Sequence, residues 1–157
     1  MEAALAIAAL AALCAAVLSV PPQAAEPDDG AYHASIVATT EGHFLTLSTA
    51  QAETLAGKLR DNPAAPPNQW VEVTSGRWIS EKDPGYPFLA APFQKLGIIR
   101  LAPLFYGALA CLGLFFGARR WLGRFGGPAA VGLYCSSGAA LAFAWRDYMP
   151  TFTDASL

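Results

Sequence analysis

The sequence predicts an all-α membrane protein with about three transmembrane helices and a long extracytoplasmic loop that carries short juxtamembrane helices. Of its 157 residues, 54% are hydrophobic and only 14% are charged, whereas roughly a quarter are charged in ordinary soluble domains. The mean hydropathy is +0.35, and most apolar residues are gathered into long runs. The formal net charge of -2 indicates no basic surface for nucleic acid, which we therefore exclude as a partner.

The first apolar run, Ala3–Val20, predicts a transmembrane helix over residues 1–20. About 18 to 20 apolar residues are enough to cross a hydrocarbon core of roughly 30 Å, and Pro21 and Pro22 end the run. A cleaved signal peptide is the alternative, since the small residues Ala24 and Ala25 lie near a suitable cleavage point. We favour a retained helix, because no Lys or Arg precedes the run and signal peptides usually have apolar regions of only about 7 to 15 residues.

Residues 21–97 form the polar extracytoplasmic loop, in which turn residues separate short predicted elements. Ser, Asp and Asn residues before apolar stretches are typical of helix starts, and partial alternation of apolar and polar residues is typical of strands. In order, we predict a helix over Ala31–Thr40 capped by Asp28 or Asp29, a helix over Ser48–Leu59, a strand or hairpin over Trp70–Ile79, and an interfacial helix over Phe88–Leu96.

Residues 98–157 predict a two-helix transmembrane hairpin and an outer tail. The first of these helices, Leu101–Ala118, begins just after Arg100, and the second covers Pro128–Trp145. Gly113 and Gly117 have the small-xxx-small spacing that lets membrane helices approach closely. The same spacing is common by chance in glycine-rich membrane helices, so on its own it assigns no helix contact.

Basic residues set the predicted orientation. Arg119, Arg120 and Arg124 lie in a very short connection, which the positive-inside rule assigns to the cytoplasm. The N-terminus is then cytoplasmic, and the long loop and the C-terminal tail face outside. Aromatic side chains are enriched at membrane–water interfaces, and four of them are interpreted as such a belt: Trp70, Trp78, Tyr86 and Trp145.

Two adjacent carboxylates, Asp28 and Asp29, are the first candidate functional residues. A carboxylate near an apolar boundary is partly desolvated, which makes it a stronger base, and a pair of carboxylates is suited to a divalent cation. The alternative is structural, since carboxylates also cap helix N-termini and favour the positive end of the helix dipole. Tyr32 follows Asp28 by one helical turn, so the two share a face.

A second charged cluster, Glu81-Lys82-Asp83, precedes the next spanning helix. Lys82 is suited to neutralise a phosphate, as are Arg77 and Arg100. A solvated charge run is the alternative for the cluster. For Arg100 the alternatives are snorkelling to the lipid headgroups and binding of a lipid phosphate.

The order of these features resembles the N-terminal part of the membrane-embedded C-type glycosyltransferases, especially the aminoarabinose-transferase and protein-O-mannosyltransferase group. In that group the first external loop begins with an acidic pair and a tyrosine, and it closes with a Glu-Lys element that runs into a proline-rich segment. An arginine opens the next helix, a short basic turn follows, and the third helix leads to a Thr-Asp-Ala-Leu-like element. The matching stretches are Asp28-Asp29 with Tyr32, Glu81 to Leu89, Ile99 to Leu101, Gly117 to Gly123 and Thr153 to Leu157.

This resemblance implies transfer of a sugar from a polyprenyl-phosphate donor to an acceptor on the extracytoplasmic face of a bacterial cell membrane. Asp28 would act as a base or as the ligand of a divalent metal ion, Mg or Mn, with Asp29 as its partner. Lys82 and Arg100 would contact the phosphate of the donor. The further substrate-binding candidates are Tyr32, Glu81 and Asp154.

Enzymes of this group have many more spanning helices than the three or so that are predicted for this chain. We therefore expect the chain to be an N-terminal portion that lies among membrane lipid and needs further transmembrane helices or a partner subunit. The alternative function is a small, non-catalytic accessory subunit of a larger membrane complex, in which the acidic loop serves only for docking.

Overall fold

The computed structural model describes residues 1–19, 27–43, 46–58 and 69–137, with the side chains of residues 27–29 excepted. This part of the chain is mostly helical, as predicted. In chain order its elements are α1 (Glu2–Leu18), α2 (Pro27–Thr40), β1 (Thr46–Ser48), α3 (Thr49–Lys58), β2 (Trp70–Thr74), β3 (Arg77–Ser80), α4 (Gly85–Lys95), α5 (Leu101–Leu122) and α6 (Gly126–Ser136). The chain divides into two compact units, of which the first comprises Met1–Gln23 with Arg100–Leu157 and the second comprises Ala24–Ile99.

The first unit is built from α1, α5 and α6, and α6 packs against both of the other helices. Its core contains Leu13 and Val17 from α1, Leu104 and Phe115 from α5, and Val131 from α6, none of them more than 8% exposed. Because these side chains come from opposite ends of the sequence, the core joins the N-terminal helix to the α5–α6 hairpin.

Close contact between α5 and α6 depends on Gly126 and Gly127. A Cβ atom at Gly126 would lie only 2.6 Å from the carbonyl oxygen of Ala118, and a Cβ at Gly127 would be similarly crowded. At Gly113 and Gly117, by contrast, a Cβ would have no neighbour within 4 Å among the residues that the structure describes. The described contact between α5 and α6 is therefore made at Gly126 and Gly127 and not at Gly113 and Gly117.

Polar contacts at its two ends set the direction of α1 within the first unit. Arg124 Nε donates to Glu2 Oε1 at 2.9 Å, and Arg119 Nε lies 3.7 Å from Glu2 Oε2. At the other end, Arg100 Nη2 donates to the carbonyl oxygen of Val17 at 3.1 Å. Helix α1 is therefore antiparallel to α5, and the N-terminus lies beside the α5–α6 turn. Arg119 belongs to the last turn of α5 and not to the connection that the sequence predicts.

One helix of the described residues, α5, is long and apolar enough to cross a membrane by its length and composition. Helix α1 is apolar but has only 17 residues, at the short end of the range of about 17 to 25 for a spanning helix. The predicted third span, Pro128–Trp145, coincides with α6 as far as Ser136, and its residues from 138 onward lie outside the described part. The count of about three spanning helices is thus not confirmed.

The second unit contains a three-stranded antiparallel sheet with the strand order β1-β3-β2. Strands β2 and β3 form a hairpin in which Trp70 lies opposite Ser80, and Gly76 in its turn has a φ of +78°. That left-handed conformation favours glycine. The predicted strand or hairpin over Trp70–Ile79 is confirmed. Strand β1 was not predicted, since its three residues are defined by pairing with β3.

Helices α2, α3 and α4 complete the second unit. Ser48 and Gln51 form a capping box at the start of α3, where Ser48 N–H donates to Gln51 Oε1 at 2.8 Å and Gln51 N–H donates to Ser48 Oγ at 3.4 Å. The prediction of Ser48 as a helix cap is confirmed. Helix α2 begins at Pro27, so Asp28 and Asp29 lie inside its first turn and the predicted capping position is wrong.

Two aromatic residues assigned to the membrane belt lie instead inside the second unit. Trp70 is 5% exposed and Tyr86 is 4% exposed. Trp70 belongs to a core with residues of α2, α3 and β1. The belt interpretation is therefore wrong for these two residues, and Trp145 lies outside the described residues.

Candidate functional site

Two segments from opposite ends of the polar loop meet in the second unit. Helix α2 packs against α4, and this packing brings Tyr32 next to Lys82 and Tyr86. The Lys82 ammonium nitrogen lies 5.8 Å from the centroid of the Tyr32 ring. The Tyr32 and Tyr86 rings meet edge to face, with their centroids 6.1 Å apart. Two of the predicted site residues, Tyr32 and Lys82, are therefore neighbours.

Burial of these aromatic rings holds the lysine in a defined position. Tyr32 is 9% exposed and Tyr86 is 4% exposed, whereas Lys82 is half-buried. An ammonium group near the face of an aromatic ring is attracted by the quadrupole of that ring, and the edge-to-face arrangement of two rings is itself favourable. The arrangement supplies a positive charge at the edge of an aromatic surface.

A pair of serine hydroxyls lies next to this cluster. Ser35 Oγ, on α2, is 2.9 Å from Ser80 Oγ, at the end of β3. Ser35 Oγ donates to the carbonyl oxygen of Ala31 at 2.9 Å, and the backbone N–H of Lys82 donates to Ser80 Oγ at 3.1 Å. Because Ser35 has already used its only proton, Ser80 must be the donor to Ser35. Both hydroxyl protons are therefore engaged, and each oxygen keeps a lone pair that accepts a hydrogen bond.

The serine pair and Lys82 line the same cleft, which has a volume of about 310 Å³. Apolar and polar side chains contribute to its wall: Ser35, Thr46, Trp70, Ile79, Ser80, Lys82, Pro84 and Pro87. A mostly apolar cleft with a few polar groups at one side is the usual form of a small-ligand site. The cleft combines one cation with hydrogen-bond acceptors, and it lies entirely within the second unit.

The other candidate residues are distributed more widely. Asp28 and Asp29 lie in the first turn of α2, upstream of Tyr32, and their side chains are outside the described part of the structure. Glu81 is exposed, and its backbone N–H donates to the carbonyl oxygen of Gln69 at 2.9 Å. Asp154 lies outside the described residues.

Arg100 belongs to the first unit, where its guanidinium group contacts α1. Its Nη2 donates to the carbonyl oxygen of Val17, which is one of the last carbonyl groups of that helix. A cation is favoured at the C-terminal end of a helix. The last carbonyl groups there receive no hydrogen bond from within the helix, and the helix dipole is negative at that end. Part of the function of Arg100 is thus to hold α1 against the start of α5.

A divalent metal ion is suggested by the carboxylate pair Asp28 and Asp29 and by the resemblance to the glycosyltransferases. In the described part of the chain, no three His, Cys, Asp or Glu residues converge on a point where they could hold a metal ion. Any metal ion would therefore have to be held by Asp28 and Asp29, whose side chains are not described, together with other groups outside the described part of the chain.

Sequence reasoning missed Ser35 and Ser80. Ser35 lies among the small residues Ala31, Ala34 and Ala38, which form the buried side of α2, and a serine on an alanine-rich face is a weak signal. Ser80 precedes the Glu81-Lys82 element directly. Its proximity to Ser35 depends on the packing of α2 beside the sheet, which local sequence patterns do not reveal.

Comparison of the chain with protein-family models, with curated proteins and with solved structures gives no match.

Proposed function

We propose that this chain is the N-terminal part of an integral-membrane glycosyltransferase that moves a sugar from a polyprenyl-phosphate donor to an acceptor on the extracytoplasmic face of the membrane. The observation that carries the proposal is the contact of Tyr32 with Lys82. The motif resemblance pairs the beginning and the end of the polar loop, and these two segments are neighbours in the second unit.

A membrane location for the first unit is supported by the surface of α5. Large apolar side chains are exposed along most of its length: Leu101, Phe105, Leu109, Leu112, Leu114, Phe116, Trp121 and Leu122. A soluble monomer rarely exposes so continuous an apolar surface, which lipid or further helices would cover. We propose that α1, α5 and the segment predicted as the third span, Pro128–Trp145, are the three spans.

The ion pairs of Glu2 support the orientation that we propose for these spans. Because Glu2 contacts Arg124 and lies near Arg119, the N-terminus and the basic end of the hairpin belong to one end of the first unit. The positive-inside rule assigns this end to the cytoplasm. The polar loop would then be extracytoplasmic, in a membrane that we propose to be the bacterial cell membrane.

The proposed reaction is a nucleophilic substitution at the anomeric carbon of the donor sugar. An acceptor hydroxyl oxygen forms the new bond to this carbon, and the bond from the carbon to the phosphate oxygen breaks. Asp28 takes the proton of the acceptor hydroxyl, with Asp29 as its neighbour. Lys82 neutralises the negative charge that develops on the departing polyprenyl phosphate.

The remaining assignments come from the resemblance alone. Arg100 is proposed as a second phosphate contact, and Tyr32, Glu81 and Asp154 as residues that support substrate binding. Asp28 is also the proposed ligand of a divalent ion, Mg or Mn. Such an ion would supply further charge neutralisation at the phosphate.

Transfer in native membranes tests the enzymatic proposal. Membrane vesicles from cells whose own gene carries Asp28→Asn would be supplied with a radiolabelled polyprenyl-phosphate sugar, and labelled product would be counted. We expect transfer to fall at least a hundredfold, the lower end of the usual contribution of a positioned base. Glu53→Gln, which changes an exposed carboxylate on α3, should leave transfer unchanged. Undiminished transfer with Asp28→Asn would exclude the catalytic role.

A second candidate function, the accessory subunit, is supported by an apolar cleft in the first unit. This cleft has a volume of about 180 Å³, and small residues of α1 and α5 contribute to it, among them Ala3, Ala6 and Ala108. Small residues let another helix approach closely. If docking is the whole function, Ala108→Phe should abolish it while Asp28→Asn leaves it intact. Measuring the complex size in mild detergent for both variants distinguishes the two functions.

A further inference from the structure

We propose that the cleft beside Ser35 and Ser80 is a carbohydrate subsite that binds the sugar ring of an anionic sugar derivative, with the anion at Lys82. The inference rests on the proposed function, because it names the part of the donor that occupies the second unit. It also makes a prediction about free sugar phosphates that does not require any transfer reaction.

The directions of the hydrogen bonds define the kind of ligand. Ser35 donates to the carbonyl oxygen of Ala31, and Ser80 donates to Ser35. Each serine oxygen consequently keeps only an acceptor lone pair for a further partner, and both serines line the cleft. An oxyanion such as phosphate has no proton to donate to them when it is fully ionised, and two acceptors facing it would be repulsive. A sugar hydroxyl, by contrast, carries the proton that these oxygens accept.

The charge in the cleft defines the second part of the ligand. Lys82 lines the cleft together with the serine pair, and its ammonium group lies near the Tyr32 ring. An ammonium group donates hydrogen bonds and attracts anions. The cleft therefore matches a molecule with hydroxyl groups on one side and a phosphate on the other, which is the form of a sugar 1-phosphate.

The remaining wall suits the apolar faces of a sugar ring. Trp70, Ile79 and Pro87 contribute apolar surface, and the volume of about 310 Å³ is at the small end of the range of roughly 300 to 1,000 Å³ for ligand pockets. A single ring fits this description better than a nucleotide or a lipid chain. The backbone of β3 is paired with both β1 and β2 at Ile79 and with β2 at Ser80, which holds these two residues in fixed positions.

Binding of soluble sugar phosphates to the full chain in lipid nanodiscs tests the proposal. The probes are the 1-phosphates of glucose, mannose and galactose, with inorganic phosphate for comparison, and saturation-transfer NMR reports the affinity. We expect at least one sugar phosphate to bind at least tenfold more tightly than inorganic phosphate. Equal or weaker binding of all three sugar phosphates would overturn the proposal.

Two variants locate the bound sugar. Ser80→Ala removes one acceptor, and Thr46→Phe adds bulk at the wall of the cleft without altering the serine pair. Each should weaken binding of the sugar phosphate at least tenfold, whereas Ser75→Ala, in the exposed turn of the hairpin, should have no effect. If Ser80→Ala fails to fold, as judged by its thermal unfolding, Thr46→Phe decides the outcome. Unchanged affinity in Thr46→Phe would overturn the proposal.

Failure of the subsite and failure of the enzymatic function give different results. If Asp28→Asn abolishes transfer in membranes but no sugar phosphate binds in the cleft, the subsite is wrong and the enzymatic function stands. If sugar phosphates bind and Thr46→Phe excludes them, but no transfer from a polyprenyl donor occurs, the subsite stands and the enzymatic function is wrong.

Discussion

The ammonium nitrogen of Lys82 lies 5.8 Å from the centroid of the Tyr32 ring. These residues come from the two ends of the polar loop, and α2, the sheet and α4 bring them together. Tyr86 packs against the same ring from the other segment. Lys82, at the end of the loop, and the acidic pair Asp28-Asp29, near its beginning, belong to one compact unit, Ala24–Ile99.

Replacement of Lys82 tests whether its charge binds the donor. Lys82→Met keeps a long apolar side chain against Tyr32 but removes the ammonium group. We expect the affinity for polyprenyl phosphate to fall about 10- to 150-fold, since a charge-assisted hydrogen bond is worth about 1.5 to 3 kcal/mol. Equilibrium binding of radiolabelled polyprenyl phosphate to the protein in nanodiscs measures this change.

Lys58→Met is the matched control for this measurement. Lys58 also lies in the second unit, where it forms an ion pair with Glu41 on the exposed surface, and exposed ion pairs contribute little to stability. Its replacement should leave polyprenyl-phosphate binding unchanged. Equal losses in both lysine variants would indicate nonspecific attraction of the anion and would contradict the assignment of Lys82.

Gly126→Ala tests the contact between α5 and α6. The added methyl group would lie 2.6 Å from the carbonyl oxygen of Ala118, so the helices must separate, at a cost of about 1 to 3 kcal/mol. In Gly117→Ala the added methyl group meets no described atom within 4 Å. The change also removes a flexible residue from a helix, which should stabilise the unit by about 0.5 to 1 kcal/mol. Unfolding of the micelle-bound protein with increasing SDS, followed by circular dichroism, should show shifts of opposite sign. Shifts of the same sign would mean that the glycine contact has been assigned wrongly.

Side-specific labelling tests the proposed orientation. Glu53→Cys introduces a thiol on the exposed side of α3, and Arg120→Cys introduces one near the end of α5. A membrane-impermeant maleimide should label the first thiol in intact spheroplasts and the second only after permeabilisation. The unsubstituted chain measures the background from its own cysteines, of which Cys111 and Cys135 are buried. Labelling of both introduced thiols from the same side would contradict the proposed topology.

Local patterns predicted the elements that depend on neighbouring residues. The stretch Trp70–Ile79 alternates partly between apolar and polar residues, Ser48 is a capping residue before α3, and α5 has a long apolar run after Arg100. Each of these signals is contained in a short stretch of sequence. The predicted boundaries were less accurate, since α2 begins at Pro27 and α5 continues through the arginines to Leu122.

Features that depend on packing could not be predicted in this way. Trp70 and Tyr86 are of the residue types that are enriched at membrane interfaces, yet both lie in the interior of the second unit. Ser35 and Ser80 become a pair only because α2 lies beside the end of β3. The contact between Tyr32 and Lys82 likewise depends on the packing of α2 against α4, which no local pattern reveals.

Photo-crosslinking of the donor tests the central claim most directly, namely that the segments around Tyr32 and Lys82 form one binding site for a polyprenyl-phosphate sugar. A donor analogue with a diazirine on the sugar would be irradiated with the protein in native membranes, and the labelled peptides would be identified by mass spectrometry. We predict labelling in both α2 and the segment around Lys82, suppressed by excess unlabelled donor and by Lys82→Met. Labelling confined to α1 or α5, or unaffected by unlabelled donor, would contradict the claim.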